Sequence, residues 1–313
     1  LLTLGQGLKD ESVEDAIRHA YNRGESDEFI KPTYLQIDGR GAGLIKDNDA
    51  VIFFNLRSDR ARQLTKPFVQ PRFEEINPGA FKRKKVLKNL CFVALTDFGP
   101  DLGNTLTAYP SDNIKNTLPV ALKRFRQLYV AESEKYAHMT YFFNGGYDQP
   151  IAAEDRHMVP SPNVMSYDKK PDMSAKEITK IVVAAIHNKK YDFIAINFAN
   201  PDMVGHTGNF KACVKAMETV DKCLMIIGRE VVKHHGAMII TADHGNVEET
   251  VNPDTGEVDT EHSTNLVPCL FYQSDWRGRR FKKKQGVLGD IAPTILKLMN
   301  VTKPKEMSRP GLL

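Results

Sequence analysis

Short apolar runs, set apart by stretches with an apolar residue every three or four positions, recur from about residue 115 onward. The runs HMTYFFN (138–144), DFIAINFAN (192–200), GAMIITADHG (236–245) and VPCLFYQ (267–273) have the length and content of strands buried on both sheet faces. Between them, SAKEITKIVVAAIHN places Ile178, Ile181, Val182 and Ala185 on one helical face and opens with Ser174 and Glu177 at the spacing of a capping box. The stretch 209–235 repeats apolar residues at Cys213, Met217, Val220, Leu224, Ile227 and Val231, and Gly236 ends it. Strands alternating with helices predict right-handed crossovers and a largely parallel sheet. Upstream, AVIFFNL (50–56) and LCFVALTDF (90–98) read as strands among charged loops. The pattern predicts an α/β protein whose character changes near residues 100–115, in a chain long enough for about two domains.

Ligands of open α/β sheets gather at the carboxyl ends of the strands, so the residues that follow each run carry the chemistry. PDMVGHTG follows 192–200, and DHGN closes 236–245. Asp202 and His206 are four apart, which in a helical turn puts both on one side. Asp243 and His244 are adjacent, and Gly245 suits a turn that brings them to one site. His262 follows in TEHST. Three His and two Asp form a mixed nitrogen and oxygen donor set that suits Mn²⁺ or Zn²⁺ and suits Ca²⁺ poorly. Five ligands exceed what one open catalytic ion takes from protein, so a two-ion cluster for phosphoryl transfer is expected. His19, His187, His234 and His235 fall on or beside predicted helices and are expected to be exposed.

Arg57 and Arg60, three apart after a strand, either grip a planar anion or form a solvated turn. Lys135 is either a buried phosphate-binding lysine or a surface cap. The net charge of +4 concentrates in KRKK (82–85) and RGRRFKKK (277–284). These clusters lack the interleaved aromatics of single-strand binders, so no nucleic-acid partner is expected. No apolar run reaches the length of a membrane span, and no signal peptide opens the chain, so no membrane partner and a cytoplasmic location are expected. The four scattered cysteines exclude a disulfide framework and a thiolate zinc site. The opening LLTLGQG, without Met and followed by the helical ESVEDAIRHAYNRG, predicts that the sequence continues on its N-terminal side.

Taken together, DMVGHTG, TADHGN, EHSTNLVP, ESEKYAHMTYFFNGG, RSDRARQ and SPNVMSYDKKPDMSA closely resemble the cofactor-independent phosphoglycerate mutases of the alkaline phosphatase superfamily, over almost the whole chain. The resemblance implies an alkaline-phosphatase-like, mostly parallel sheet flanked by helices in residues 111–313, and the C-terminal part of an α/β phosphotransferase domain in residues 1–110. It implies interconversion of 3-phosphoglycerate and 2-phosphoglycerate through a phosphoserine, in glycolysis and gluconeogenesis, by a monomer. By motif, Asp202, His206 and His262 would hold one Mn²⁺ and Asp243 and His244 another, with Zn²⁺, Co²⁺ or Mg²⁺ as alternatives. Arg57 and Arg60 would bind phosphoglycerate, and Lys135 would steady the transferring group. The family's first segment, with a strand ending in an Asp-Gly metal ligand and then an Asn-Ser pair bearing the nucleophile, is not recognised here. The chain by itself is therefore expected to be inactive. Two other functions fit the residues: a phosphatase or phosphodiesterase of the same superfamily, and a non-catalytic metal-binding fragment.

Overall fold

The computed structural model of the chain describes residues 3–25, 27, 30–99, 102–103, 105–110, 114–276, 281 and 285–313. Apart from Phe281, the basic cluster at 277–284 lies outside them. The chain divides into two compact units, Leu1–Asp112 and Asn113–Leu313.

In the first unit, β1 (Leu8–Asp10) leads into α1 (Val13–Asn22), which begins where the Ser12 hydroxyl accepts the Asp15 N–H at 3.0 Å. β2 (Thr33–Ile37) pairs in parallel with β1 and antiparallel with β3 (Arg40–Gly41). An Asp-Gly pair does follow β2, a dipeptide the motif reading passed over. Asp38 and Gly39 have φ of 50° and 75° and make the two-residue turn of the β2–β3 hairpin, so the pair serves chain reversal. β4 (Ala50–Phe53), β5 (Cys91–Thr96) and β6 (Leu106–Tyr109) form a parallel sheet, with α2 (Ser58–Val69) and α3 (Phe73–Ile76) in the connection between β4 and β5. Phe92, Ala94, Phe98 and Val69 fill its core. Within KRKK, Arg83 turns inward. Its guanidinium donates to both Glu74 carboxylate oxygens and to the carbonyls of Pro67, Gln70 and Pro71.

The second unit begins with α4 (Leu118–Ala121) and β7 (Gln127–Glu132), a strand buried at every position. Here the apolar pattern misleads. The expected strand at 138–144 is instead a π-helical turn, His138–Phe142, and the strand lies upstream. Gln127 and Glu132 interrupt the apolar signature of β7, yet both are buried with partners: Gln127 Nε2 donates to the Pro119 carbonyl, and Glu132 Oε1 accepts the Ser174 N–H at 2.9 Å. That second bond also removes the expected capping box. Ser174 precedes the helix, but its hydroxyl donates to the Pro160 carbonyl at 2.8 Å and makes no cap bond.

β8 (Asp155–Val159) and β9 (Phe193–Ile196) flank β7, both parallel to it. α5 (Ala175–His187) packs Ile178, Val182 and Ala185 against Leu128, Val130 and Val159. After β9 come α6 (Asn200–Gly205) and the long α7 (Phe210–Lys233). The apolar stripe of α7 is rotated from the expected one: Ala212, Ala216 and Thr219 are buried beside Cys213 and Val220, while Met217 is exposed. The positive φ that ends α7 belongs to His235 rather than Gly236. β10 (Met238–Thr241) pairs antiparallel with β11 (Cys269–Tyr272) and not with the β8-β7-β9 sheet, and α8 (Ile291–Leu298) closes the unit over Leu118 and Leu122. The fold is thus α/β with parallel sheets flanked by helices. Among the described residues no helix is long and apolar enough to cross a membrane.

Candidate metal centre

β9 and β10 each run straight into polar chemistry. α6 starts four residues after β9, with Asn200 and Pro201 in its first turn, and its single complete turn carries Asp202 toward His206, the residue that caps it. Asp202 is the focus. His206 Nε2 lies 3.3 Å from its Oδ1, His262 Nε2 3.1 Å and His244 Nε2 3.9 Å from the same oxygen. The His244 and His262 rings stack at 3.6 Å. On the other carboxylate oxygen sits the Lys135 ammonium, in a pair whose side chains are 7% and 13% exposed. Lys135 follows β7 in a one-turn 3₁₀ helix, Ser133–Lys135, rather than preceding a strand.

Asp243 stands apart from this focus: it is the most exposed member, with Oδ2 3.4 Å from His244 Nε2. The resemblance divides the ligands into two sets, whereas His244 here also faces Asp202. Arg57 and Arg60 lie in the first unit, at the N-cap and in the first turn of α2, both exposed.

The sequence reading missed Asn246. It is buried, its Nδ2 donates to Asp202 Oδ1 at 3.1 Å, and its backbone N–H donates to Glu248 Oε2 at 2.9 Å. Glu248 in turn accepts the Ser263 hydroxyl, which ties the loop bearing His262 to the loop bearing His244. Gly205 is the signal that points there, since a Cβ at that position would collide with the Asn246 amide.

The residues fit a divalent cation. His206 Nδ1–H donates to the Thr260 carbonyl at 2.6 Å, which fixes the tautomer and leaves the Nε2 lone pair aimed at Asp202. His244 Nδ1 faces the Gly245 carbonyl at 3.2 Å in the same sense. Lone pairs of imidazole nitrogen and carboxylate oxygen brought face to face repel unless a proton or a metal cation lies between them, and three imidazoles around one carboxylate oxygen suit a metal ion. Burial and the neighbouring His244 hold the His262 imidazole below its ordinary pKa range, against the pull of Asp202, so the neutral, ligating form is favoured. Burial by itself raises the Asp202 carboxyl. The Lys135 ammonium, paired with the carboxylate, outweighs that burial, and the carboxyl lies far below its usual range.

The chain matches the Metalloenzyme superfamily over residues 53–303 and the BPG-independent PGAM N-terminus over residues 1–100. It is 45% identical over its full length to the 2,3-bisphosphoglycerate-independent phosphoglycerate mutase of Clostridium kluyveri and 42% identical to that of Moorella thermoacetica. It covers 60% and 59% of those proteins, so it spans about three fifths of the curated relatives it matches. Among solved structures it resembles Leishmania mexicana phosphoglycerate mutase, determined at low cobalt concentration, with a TM-score of 0.87 at 27% identity, over 99% of this chain and 59% of that one. An Asp–His cluster whose donor set suits a divalent cation, on a fold shared with the solved relative, agrees with the sequence match, and the chain belongs to the Metalloenzyme superfamily.

Proposed function

We propose that this chain is the metal-binding part of a 2,3-bisphosphoglycerate-independent phosphoglycerate mutase, a cytoplasmic, monomeric enzyme that interconverts 3-phosphoglycerate and 2-phosphoglycerate through a phosphoserine. The convergence of three imidazoles and Lys135 on Asp202 carries the proposal, in a chain alignable throughout with proteins of that name. Residues up to about 110 are the C-terminal part of the phosphotransferase domain, and those after it belong to the phosphatase domain.

Asp202, His206 and His262 would hold one divalent ion and Asp243 and His244 a second, with Mn²⁺ the expected metal. Such ions supply Lewis-acid polarisation to a phosphoryl oxygen and lower the pKa of a hydroxyl nucleophile. Lys135 serves twice. Its ammonium keeps Asp202 ionised, and as a buried cation it offsets the negative charge that develops as the phosphoryl group moves. Arg57 and Arg60 bind the phosphate and carboxylate of phosphoglycerate through paired N–H donors. Ser263, beside His262 in sequence, gives its hydroxyl to Glu248 and acts as a loop tie. On this reading the nucleophilic serine is supplied by a segment outside these 313 residues, and the chain alone is expected to bind metal without turnover.

Phosphorus NMR of 3-phosphoglycerate with Mn²⁺ tests the reading on the longest natural form of the protein. Isomerisation that falls by more than about 100-fold in both Asp202→Ala and Arg57→Ala supports it, since each removes transition-state stabilisation worth several kcal/mol. Release of inorganic phosphate from unrelated phosphomonoesters, indifferent to Arg57→Ala and without isomerisation, would replace the mutase with a phosphatase of the same superfamily.

A further inference from the structure

The exposed histidines of the sequence reading include one that is not fully exposed. His234 follows the last turn of α7, and its Nε2 is buried with no hydrogen-bond partner among the described residues. It faces Glu230 Oε2 at 3.9 Å, and Glu230 Oε2 also meets His187 Nε2 at 2.6 Å. The two rings lie 5.5 Å apart, centre to centre.

From this arrangement we propose that His187, Glu230 and His234 form a further transition-metal site, of the zinc class, that clamps the C-terminal end of α5 to that of α7. One ligand atom from each residue already lies within 4.8 Å of the other two. Ligands of a tetrahedral zinc ion, with bonds of about 2.0–2.2 Å, stand roughly 3.3–3.5 Å from one another. The observed 2.6 and 3.9 Å straddle that spacing, and the third pair lies within 4.8 Å, so the three donors stand near the spacing an ion requires. The backbone is fixed in any case. Val182, Ala185 and Ile227, on the same two helices, are buried in one cluster.

The sequence spacing supports the same reading. Glu230 and His234 are one helical turn apart and point the same way, and His187 is the last residue of α5. Two imidazoles and one carboxylate make a borderline donor set, which selects Zn²⁺, Co²⁺, Ni²⁺ or Cu²⁺ over Mg²⁺ and Ca²⁺. The hydrogen bond from His187, opposed by burial and assisted by Lys233, keeps the Glu230 carboxyl below its ordinary range, so an ionised oxygen is present at neutral pH. Lys233 Nζ, 3.7 Å from Glu230 Oε2, is the competing cation. A plain His187–Glu230 ion pair explains two of the three groups and leaves the buried His234 nitrogen unbonded, whereas an ion satisfies all three. The site shares no residue with the Asp202 cluster. The half-exposed His187 leaves one side open for water as a fourth ligand.

The test is a titration of the metal-free 313-residue chain with Zn²⁺ by calorimetry, repeated with Co²⁺ by visible absorption. The unaltered chain should bind about one equivalent more than either His187→Ala or His234→Ala, while Asp202→Asn should retain this equivalent and lose others. The Zn²⁺-dependent rise in melting temperature should persist in Asp202→Asn, shrink in His187→Ala, and be absent through this site with Mg²⁺. Equal stoichiometry and an equal Zn²⁺-dependent shift in the unaltered chain and in natively folded His187→Ala would overturn the proposal. His187 sits half-exposed at a helix end, so that variant decides the question even if His234→Ala does not fold.

Discussion

Gly205 ends α6 against the Asn246 side chain, and replacing it with alanine tests the architecture of the metal centre. A Cβ there would stand 1.9 Å from Asn246 Oδ1 and 2.7 Å from its Cγ, where real Cβ contacts do not fall below 3.0 Å. The amide must therefore retreat by at least about 1.1 Å, through a side chain that is 5% exposed and has little room to move. That displacement exceeds the slack in the 3.1 Å bond from Asn246 Nδ2 to Asp202 Oδ1. Overpacking of this kind costs about 1–3 kcal/mol, and a buried donor left unmade adds about 1–3 kcal/mol. We expect Gly205→Ala to lose about 2–6 kcal/mol in urea unfolding followed by circular dichroism. Divalent-metal affinity, measured by calorimetry, should drop about 10- to 100-fold, the usual effect of removing a partner that orients a ligand. Adding Asn246→Ala should relieve the clash and recover stability without recovering metal affinity, a coupling that a double-mutant cycle isolates. Gly103→Ala serves as the control, because nothing lies within 4 Å of its Cβ position. A Gly205→Ala protein within about 0.5 kcal/mol of the unaltered chain, with unchanged metal affinity, would refute the assignment of Asn246 as the prop of Asp202.

Three further outcomes follow from groups away from that centre. Arg156→Met removes the cation that contacts the fully buried Glu154 carboxylate at 2.7 Å and leaves that carboxylate with neutral donors such as Asn144 and the Ala152 N–H. We expect a loss of about 3–5 kcal/mol in urea unfolding, most of it recovered by adding Glu154→Gln. Hydrogen bonds from Arg83 hold the Glu74 carboxyl at about 2, below its ordinary 4.5. Because the folded-state value is depressed, the stability it contributes is complete above about pH 4.5 and is lost as the pH falls toward 2; Arg83→Gln should flatten that part of an acid-unfolding curve. Cys91 is exposed while Cys213 and Cys223 are buried, and burial pushes the Cys213 thiol up. Under native conditions an aromatic disulfide reagent should modify Cys91 rapidly, and Cys213 and Cys223 only at the rate of local opening.

The sequence by itself determined the local elements whose signal is carried by near neighbours. The rhythm of apolar residues located α5, α7, β9 and β10, because burial of one helical face or one short run is written into adjacent positions. It also placed Asp202 with His206, and Asp243 with His244, at the ends of strands, where turns need polar residues and the chemistry of Asp and His narrows the choice. What it could not supply was any fact that depends on residues distant in the chain. The π-helical turn at 138–142 reads as a strand because its side chains are largely apolar, while the true strand β7 hides behind Gln127 and Glu132, which find partners at Pro119 and Ser174. The Ser174 hydroxyl goes to Pro160, 14 positions away, instead of capping its own helix. Only the tertiary structure brings His262 to Asp202 across 60 residues, or sets Asn246 and Lys135 on opposite oxygens of one carboxylate. Only it gathers His187, Glu230 and His234 from two helices. Local periodicity records which face of an element is buried; which donors share an atom is fixed by how the elements pack, and no window of neighbouring residues contains that information.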